Sequence, residues 1–488
     1  MTELPNEKLL KHEENNYVDF DYEGLIAKMI SQEGPAMAVG DVDGDGNQDV
    51  YIGGAMGQAA HLNLHKGNGE LRPVIPTAFE ADKGLEDTAA SFFDADGDGD
   101  LDLMVGSGGN QVDQDGGETL RLYLNDGSGD FAKAELTLPP NIRNIAALAV
   151  EDVDADGDLD VFVAARSIIG IYGVDPDHLY MENLGDGRFV NRSADVIAAT
   201  KGSGMLTDAS WEDLDGDGKN ELITVADWGS PKVYGVEDGI LVERQSGLED
   251  LLGWWGVLEP ADLDGDGDID LILGNEGKNV HYRPTQENVM KIWVSDFDNN
   301  GTIEQIMTQT IDGKDMPLHQ KKEIVAQLVS LKKENLKASE YAVRSIQELF
   351  DPALLKRAKV RSVNISVSMI ALNDGQGNFT TSELPDMAQL SCICGISCAD
   401  VNADGMLDIV MGGNNYEFKP QYSRLDSNFG NVLINKGQGE FGWEAYDKSG
   451  FFVRAEVKHI EQITDQDGKR YLVVAINDER PKVYALNE

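Results

Sequence analysis

Residues 41–49 of the chain read DVDGDGNQD, and this arrangement of acidic residues and glycine recurs along the sequence. The copies follow the pattern D-x-[DN]-x-[DN]-G-x-x-[DE] and begin at Asp41, Asp94, Asp152, Asp213, Asp262, Asp296 and Asp400. Glycine at the sixth position permits a sharp turn, so that alternate oxygen side chains can face one point. Ca²⁺ takes roughly 6–8 oxygen ligands at about 2.3–2.6 Å. The repeated loop therefore predicts a protein that binds up to seven Ca²⁺ ions.

The predicted Ca²⁺ ligands lie at loop positions 1, 3, 5, 7 and 9. Position 7 contributes its backbone carbonyl, as at Asn47, and water completes the shell. The predicted ligands of the seven loops are Asp41, Asp43, Asp45, Asn47 and Asp49; Asp94, Asp96, Asp98, Asp100 and Asp102; Asp152, Asp154, Asp156, Asp158 and Asp160; Asp213, Asp215, Asp217, Lys219 and Glu221; Asp262, Asp264, Asp266, Asp268 and Asp270; Asp296, Asp298, Asn300, Thr302 and Glu304; Asp400, Asn402, Asp404, Met406 and Asp408. We expect the last two loops to bind most weakly, because Asn300 and Asn402 replace aspartates there.

The loops differ from EF-hand loops at their twelfth position and in their flanks. An EF-hand needs a bidentate Glu at position 12 and a helix on each side. Position 12 here is Ile52, Val105, Val163, Thr224, Leu273, Met307 or Met411, and none of these side chains can chelate a cation. Short apolar segments such as AMAVG and DLILG flank the loops and predict buried strands. Each loop is therefore expected to join two strands.

A second repeated pattern follows many of the loops, namely a G-x-G turn between two short apolar segments, as in LYLNDGSGDF and VLINKGQGEF. One unit then contains four antiparallel strands in roughly 50–60 residues, which is typical of a β-propeller blade. The sequence predicts an all-β propeller of seven to eight four-stranded blades. Eight is favoured if a degenerate last unit is counted, and seven results if the short unit at Asp262 merges with its neighbour. The segment YVDFDYEGL near the N-terminus is expected to supply the outer strand that closes the ring.

Residues 314–360 interrupt this rhythm and predict a helical insertion within a single propeller domain of residues 1–488. The segment has helical periodicity, lacks glycine and is locally basic. It is expected to brace the propeller, and the alternative is a docking element for an acidic partner.

The charge and hydropathy of the chain argue against several kinds of partner and location. The chain has 40 basic and 87 acidic residues and a net charge of −47, which argues against nucleic acid or an anionic membrane as a partner. No apolar run reaches transmembrane length, so membrane insertion is not expected. The N-terminal segment MTELPNEKLL lacks the apolar region of a signal peptide, so either the protein is cytosolic or a targeting segment has been removed. Loops without a twelfth-position Glu are expected to need high Ca²⁺. This favours an extracytoplasmic protein whose targeting segment has been removed, and which is secreted, periplasmic or displayed on the outer membrane.

The D-x-D-G-D-G-x-x-D loops and the L-Y-x-N-x-G-x-G-x-F turns resemble FG-GAP/VCBS repeats, the Ca²⁺-binding repeats of integrin α-chain propellers and of many bacterial surface proteins. The second half, including GGNNYEFKPQYSRLDSNFG and VVAINDERPKVY, resembles the VCBS-repeat proteins of Bacteroidetes that are related to cartilage acidic protein. The resemblance implies Ca²⁺ binding and secretion or outer-membrane display. It implies no agreed enzymatic activity. Other domains or surface proteins are further candidate partners.

The propeller topology predicts where a ligand would bind. If the Ca²⁺ loops join the first and second strands of each blade, they share one face, and the loops between the second and third strands share the opposite face. The residues expected to bind a ligand there are Trp228, Trp254, Trp255, Tyr282, Arg283, Asn414, Tyr416 and Arg424. The alternative for the tryptophans is packing between blades.

Two function classes remain. The favoured one is a non-catalytic, Ca²⁺-stabilised binding module for a protein or a glycan. The alternative is a polysaccharide lyase or another carbohydrate-active enzyme on the same scaffold, for which His281, Tyr282 and Arg283 offer a base and a charge neutraliser. Adjacent residues of a strand point to opposite faces, so His281 and Tyr282 are not expected to converge.

Overall fold

The computed structural model describes residues 1–111, 119–139, 143–334 and 337–486. In these ranges the chain forms eight antiparallel sheets, each with a four-stranded path, and one of them carries a fifth, short strand. The predicted fold class, an all-β propeller of seven to eight four-stranded blades with a helical insertion, is confirmed.

Blades 1 to 4 are each built from four strands that are consecutive in the chain. The first strand of the chain, which belongs to the last blade, is β1 (Thr2–Glu3). Blade 1 contains β2 (Met37–Gly40), β3 (Asp49–Ile52), β4 (His61–His65) and β5 (Leu71–Val74). Blade 2 contains β6 (Asp87–Phe93), β7 (Asp102–Ser107), β8 (Leu120–Asn125) and β9 (Phe131–Lys133). Blade 3 contains β10 (Arg143–Glu151), β11 (Asp160–Ile168), β12 (Leu179–Asn183) and β13 (Phe189–Asn191). Blade 4 contains β14 (Met205–Glu212), β15 (Glu221–Gly229), β16 (Lys232–Glu237) and β17 (Ile240–Arg244), and β18 (Gly253–Trp254) also pairs with β15.

Blade 5 is split by an inserted sheet. Its first two strands are β19 (Val257–Ala261) and β20 (Asp270–Gly274). The inserted sheet contains β21 (Met290–Ser295), β22 (Glu304–Ile311), β23 (Lys314–Pro317) and β24 (Lys359–Val363). Blade 5 then resumes with β25 (Met369–Asn373), which pairs with β20, and ends with β26 (Phe379–Glu383). The insertion thus lies between the second and third strands of a blade, and it includes the loop that begins at Asp296.

Blades 6 and 7 complete the chain. Blade 6 contains β27 (Ile393–Ala399), β28 (Asp408–Gly413), β29 (Asn431–Asn435) and β30 (Phe441–Glu444). Blade 7 contains β31 (Val457–Thr464), β32 (Arg470–Ile476) and β33 (Lys482–Ala485), with β1 paired to β33 as its outer strand. The N-terminus therefore closes the last blade, as expected, but with Thr2–Glu3. The predicted closing segment at residues 17–25 instead contains a short 3-10 helix, Asp19–Asp21.

Buried apolar clusters show which sheets form the ring. Within the described ranges, seven clusters each fill the space between successive blades, and the last joins blade 7 to blade 1 through residues such as Val473 and Val50. The strands suit this role, since β11 is buried at every position but its last, as expected of a strand covered on both faces. Seven sheets therefore form the closed ring, and the eighth four-stranded unit is the inserted sheet, which packs in two other clusters.

The helices are short, and most of them lie in the insertion. In the ring they are α1 (Thr77–Ala81), α2 (Ser193–Val196) and α8 (Tyr446–Ser449), with 3-10 turns at Ala198–Thr200, Asp386–Gln389 and Pro420–Tyr422. The insertion contains α3 (Lys321–Gln327), α4 (Leu331–Glu334), α5 (Ala338–Tyr341), α6 (Ile346–Leu349) and α7 (Pro352–Arg357). Helices thus occupy the middle of the predicted insertion 314–360, whose ends belong to the strands β23 and β24. Residues 335 and 336 of this segment lie outside the described ranges. None of the described helices has the length and apolar composition that a membrane span needs.

Candidate metal centres and the opposite face

The acidic loops bring carboxylates together on one face of the ring. Within the described ranges, in at least five loops, three acidic residues each offer an oxygen within 4.8 Å of the other two. These groups are Asp41, Asp43 and Asp45; Asp94, Asp96 and Asp102; Asp152, Asp154 and Asp156; Asp213, Asp215 and Glu221; Asp262, Asp264 and Asp270. Clustered carboxylate oxygens of this kind fit a hard cation such as Ca²⁺.

The first aspartate of each loop shapes the turn. Asp41 accepts hydrogen bonds from the backbone N–H groups of Asp45, at 3.2 Å, and Gly46, at 2.9 Å. Asp400 does the same with Asp404 and Gly405, at 3.1 and 2.9 Å. Gly46 has a φ of +85°, a left-handed conformation that favours glycine. The recurrent glycine at position 6 therefore permits the turn that gathers the carboxylates.

The acidic residue at position 9 joins its loop to the sheet. Asp49 accepts hydrogen bonds from the backbone N–H groups of Val42, at 3.1 Å, and His65, at 2.7 Å. Burial raises the pKa of this carboxyl to about 7, and burial likewise raises the pKa of Asp102 to about 6. A bound divalent cation would oppose this effect, because it favours the charged carboxylate.

An asparagine before each of four G-x-G turns connects neighbouring blades, a role that the sequence reading missed. Its side-chain amide donates to the carbonyl of the second residue in the preceding blade's acidic loop. The pairs are Asn125 to Val42 (2.8 Å), Asn183 to Ala95 (2.9 Å), Asn373 to Leu214 (2.8 Å) and Asn435 to Leu263 (2.8 Å). The signal was present in the sequence, because the asparagine recurs two residues before the first glycine of the turn. Four of the acidic loops are thus held by the next blade as well as by their own.

Basic side chains already contact two of the loops. Lys66 Nζ lies 3.0 Å from Asp43 Oδ2 and 3.1 Å from Asp45 Oδ2. Arg244 Nη1 lies 2.8 Å from Asp215 Oδ2 and 2.9 Å from Glu221 Oε1. The seven loops are therefore not electrostatically equivalent.

On the opposite face, three of the predicted ligand-binding residues are buried. Trp228 and Trp255 are only 3% and 1% exposed. The Trp228 indole donates to Tyr172 Oη at 3.0 Å, and the Trp255 indole donates to the Leu251 carbonyl at 2.9 Å. Asn414 is 1% exposed, and its side chain bonds the backbone of its own loop. Burial removes these three side chains from the accessible surface, because each is used to hold neighbouring segments together.

Trp254 and Tyr282 line a small apolar pocket beside the inserted sheet. The pocket has a volume of about 60 Å³, and its other walls include Ile26, Met290 and Phe418. These residues come from the N-terminal segment, the insertion, blade 4 and the long loop of blade 6. A cavity of this size accommodates one apolar side chain or a few methyl groups, and it is well below the roughly 300–1,000 Å³ of a typical small-molecule site.

His281 and Tyr282 lie at the same pocket and contact each other. Their ring centroids are 4.6 Å apart in an edge-to-face arrangement. The expectation that they diverge was wrong, because residues 281 and 282 form a bend and not a strand.

The remaining predicted residues offer accessible polar groups. The Arg424 guanidinium lies over the Tyr416 ring, 4.8 Å from its centroid, and its Nε donates to Asp426 at 3.0 Å. Arg424 and Arg283 are exposed, and Tyr416 is half-buried. A cation over an aromatic ring is held in place at low entropic cost, which suits a recognition surface.

A buried charge network lies below the pocket. Lys28 Nζ is 3.4 Å from Asp227 Oδ2 and 3.1 Å from Glu276 Oε1, and Arg166 Nη2 is 2.8 Å from the same Asp227 oxygen. Burial acts to raise the pKa of Asp227, but the two cations lower it below its usual value. These residues line a cavity of about 150 Å³ that shares Thr207 with the roughly 270 Å³ central channel.

One protein-family model matches part of the chain. Residues 41–105, 109–163 and 213–273 match the model of the FG-GAP-like repeat. The chain therefore contains FG-GAP-like repeats, and the matched residues fall in blades 1 to 5 of the ring. A search of the curated proteins found no match.

Several solved structures are similar to the chain. The V. cholerae biofilm matrix protein Bap1 is 13% identical, with a TM-score of 0.40 over 99% of this chain and 92% of Bap1. Saccharomyces cerevisiae Sqt1 is 11% identical, with a TM-score of 0.43 over 96% of this chain and 100% of Sqt1. YCF48 from Cyanidioschyzon merolae is 7% identical, with a TM-score of 0.43 over 94% of this chain and 97% of YCF48.

Proposed function

We propose that this propeller is a Ca²⁺-binding, non-catalytic recognition module for a protein or a glycan. The observation that carries the proposal is the convergence of three carboxylates within 4.8 Å in each of five repeated loops. Like charges at this separation repel one another unless a cation lies between them. Up to seven Ca²⁺ ions would therefore stabilise the ring, and the face opposite the loops would bind the ligand.

The need for Ca²⁺ supports an extracytoplasmic location. Loops without a bidentate Glu at position 12 lack one of the strongest EF-hand ligands, and such sites fit environments with high Ca²⁺. Secretion or outer-membrane display, and a relation to the VCBS-repeat proteins of Bacteroidetes, are parts of the same proposal.

The recognition surface is formed by the pocket at Trp254 and Tyr282 together with the Tyr416–Arg424 pair. The pocket is large enough for a single apolar side chain of a protein, whereas the exposed aromatic and basic groups suit either a protein or a glycan. Aromatic and arginine side chains often dominate interface energies, at about 2 kcal/mol or more each.

A ligand screen tests this proposal. The full chain is applied to glycan and peptide arrays in Ca²⁺ and again in excess chelator. Capture of a defined ligand that is lost with Tyr416→Ala and Arg424→Ala supports the assigned face. A ligand that the double variant captures at full affinity would refute that assignment.

The contact between His281 and Tyr282 favours a polysaccharide lyase as the second candidate, because it places a potential base beside a phenol at one pocket. Incubation with uronate-containing polysaccharides tests it. Unsaturated products that His281→Ala abolishes, while substrate binding persists, would replace the binding proposal with the enzymatic one.

A further inference from the structure

The Arg244 side chain contacts the carboxylates of the acidic loop of blade 4. Arg244 lies at the end of β17, the outer strand, and its Nη1 donates to Asp215 Oδ2 at 2.8 Å and to Glu221 Oε1 at 2.9 Å. These carboxylates stand at positions 3 and 9 of the loop and are two of its predicted Ca²⁺ ligands. One guanidinium nitrogen therefore bridges two groups that a cation would use.

Gly235 leaves the space through which the Arg244 side chain reaches the loop. A Cβ built on Gly235 of β16 would lie 2.1 Å from Arg244 Nε and 2.4 Å from its Cζ. The guanidinium stem therefore passes over the backbone of the third strand at the one place where that strand has no side chain. In each of blades 1 to 6 the same position of the third strand lies opposite the position-9 acid of the loop. The residues there in the other blades are Leu64, Leu124, Glu182, Leu372 and Ile434.

Blade 3 provides an internal comparison. Arg192 is the residue of blade 3 that corresponds to Arg244. The Arg192 backbone N–H donates to the Tyr180 carbonyl, Arg244 pairs with Val233, and Tyr180 and Val233 occupy the same position of the third strand. The Arg192 Nε atom instead donates to Glu182 Oε2 at 2.7 Å, and Glu182 is the counterpart of Gly235. The glutamate thus keeps the arginine outside the loop of blade 3, whereas the glycine of blade 4 lets it enter.

Two other differences in blade 4 accompany Arg244. Position 9 of the blade 4 loop is Glu221, whereas the five other acidic loops of the ring have the shorter aspartate there. In four of those five loops the aspartate accepts a hydrogen bond from an asparagine of the third strand. The counterpart of that asparagine is Val236. In those four blades the backbone N–H of the asparagine donates to the position-9 carboxylate. In blade 4 the Arg244 side chain donates to Glu221 instead.

We propose that Arg244 is an internal counter-cation that holds the loop of blade 4 in place without metal and competes with Ca²⁺ for it. The inference deepens the proposed function and rests on its premise that the acidic loops bind Ca²⁺. Entry of Ca²⁺ requires the guanidinium to leave two carboxylates, so the loop of blade 4 fills at higher Ca²⁺ than the loop of blade 3. We expect the midpoints to differ by about ten-fold, the effect of one or two charge-assisted hydrogen bonds.

Hydrogen exchange read by mass spectrometry tests this, because peptides that cover residues 152–160 and 213–221 report on the two loops separately. Free Ca²⁺ is titrated into the full chain and into the Arg244→Met variant. In the wild type we expect the blade 4 peptide to be protected without Ca²⁺ and to respond at about ten-fold higher Ca²⁺ than the blade 3 peptide. Arg244→Met is expected to remove the metal-free protection and to bring the two midpoints together.

Two further variants supply an independent perturbation of Arg244 and a matched control. Gly235→Glu imitates blade 3 and is expected to draw Arg244 out of the loop, with the same outcome as Arg244→Met. Lys232→Met is the matched control, because Lys232 lies on β16 and pairs with Glu243 at 2.9 Å, away from the loop carboxylates. It is expected to leave both peptides unchanged.

The outcomes separate the inference from its premise. If Arg244→Met and Gly235→Glu leave the blade 4 midpoint and its metal-free protection at wild-type values, the role of Arg244 is refuted while Ca²⁺ binding stands. If no loop of the wild type responds to Ca²⁺ and elemental analysis finds none, the proposed function fails first.

Discussion

The two faces of the ring are assembled differently. On the face of the acidic loops, each group of carboxylates is local, because a loop of nine residues and the strands beside it supply them. On the opposite face, segments that are far apart in the chain meet: Ile26 of the N-terminal segment, Trp228 of blade 4, Ile292 of the insertion and Tyr422 of blade 6 share one buried cluster. Repetition thus builds the face that we propose binds Ca²⁺, and long-range packing builds the face that we propose binds a ligand.

Removal of Ca²⁺ should have the largest effect, because it acts on all loops at once. A ligand that binds only the native state stabilises it by about 2.7 kcal/mol at 100 times Kd, so a few sites rival the roughly 5–15 kcal/mol that stabilises a typical domain. Calorimetry in excess chelator should show a large fall in Tm that Ca²⁺ restores and Mg²⁺ does not. An unchanged melting curve would mean that the loops do not need metal.

Trp228→Ala should have the next largest effect and should leave the metal sites intact. Trp228 is 3% exposed, lies 5.5 Å from Trp254 between ring centroids and bonds Tyr172. Loss of a buried tryptophan costs about 3–5 kcal/mol. Denaturant unfolding measures the loss, and elemental analysis should give wild-type Ca²⁺ content.

The half-buried Trp254 is the matched control. Trp254→Ala should cost less than Trp228→Ala. Equal stability of the Trp228 variant and the wild type would mean that the inserted sheet is not held to the ring through this cluster.

Asn435→Ala should have an intermediate effect, since it tests the link between neighbouring blades. Its amide donates to Leu263 at 2.8 Å and Leu407 at 3.0 Å, and its oxygen accepts from Gly437 at 2.8 Å. Buried groups left without partners cost about 1–3 kcal/mol. We also expect weaker Ca²⁺ binding by the loops at Asp262 and Asp400.

Asn378→Ala is the control for Asn435→Ala, because the exposed Asn378 side chain bonds only Asp374 among the described residues. Surface changes of this kind usually alter stability by less than about 0.5 kcal/mol. Equal effects of the two substitutions would show that the bridging asparagines do not support the loops.

The smallest effect on stability is expected for the double change Tyr416→Ala with Arg424→Ala. The Arg424 side chain is 57% exposed, so Tm and Ca²⁺ content should stay near wild type while capture of any ligand found on the arrays is lost. Arg188→Ala, on an exposed turn of the face that carries the acidic loops, is the control and should retain capture. A large fall in Tm for the double variant would make the Tyr416–Arg424 pair structural.

The contrast between the faces explains what the sequence could predict. The strands and acidic loops follow a local repeat, so their positions and the propeller class were readable. The spacing between Asp262 and Asp296 was ambiguous, because a short blade and an insertion after the second strand give the same interval. The pairing of β20 with β25 and the apolar clusters on both sides of blade 5 show that the unit at Asp296 lies outside the ring.

Long-range contacts account for the remaining differences. The burial of Trp228 and Trp255 depends on the insertion and on neighbouring blades, and no local pattern encodes it. The closing strand at Thr2–Glu3 is two residues long and has no apolar alternation to mark it. The contact between His281 and Tyr282 arises in a bend, where the alternation rule for strands does not apply.

The most direct test of the central claim is the metal content of the folded protein. The full chain is equilibrated with equal Ca²⁺ and Mg²⁺, freed of unbound ions by gel filtration and analysed for both elements. The account predicts several bound Ca²⁺ ions per chain, up to one for each acidic loop, with little Mg²⁺. Well-folded protein that holds Mg²⁺ or no metal would contradict it.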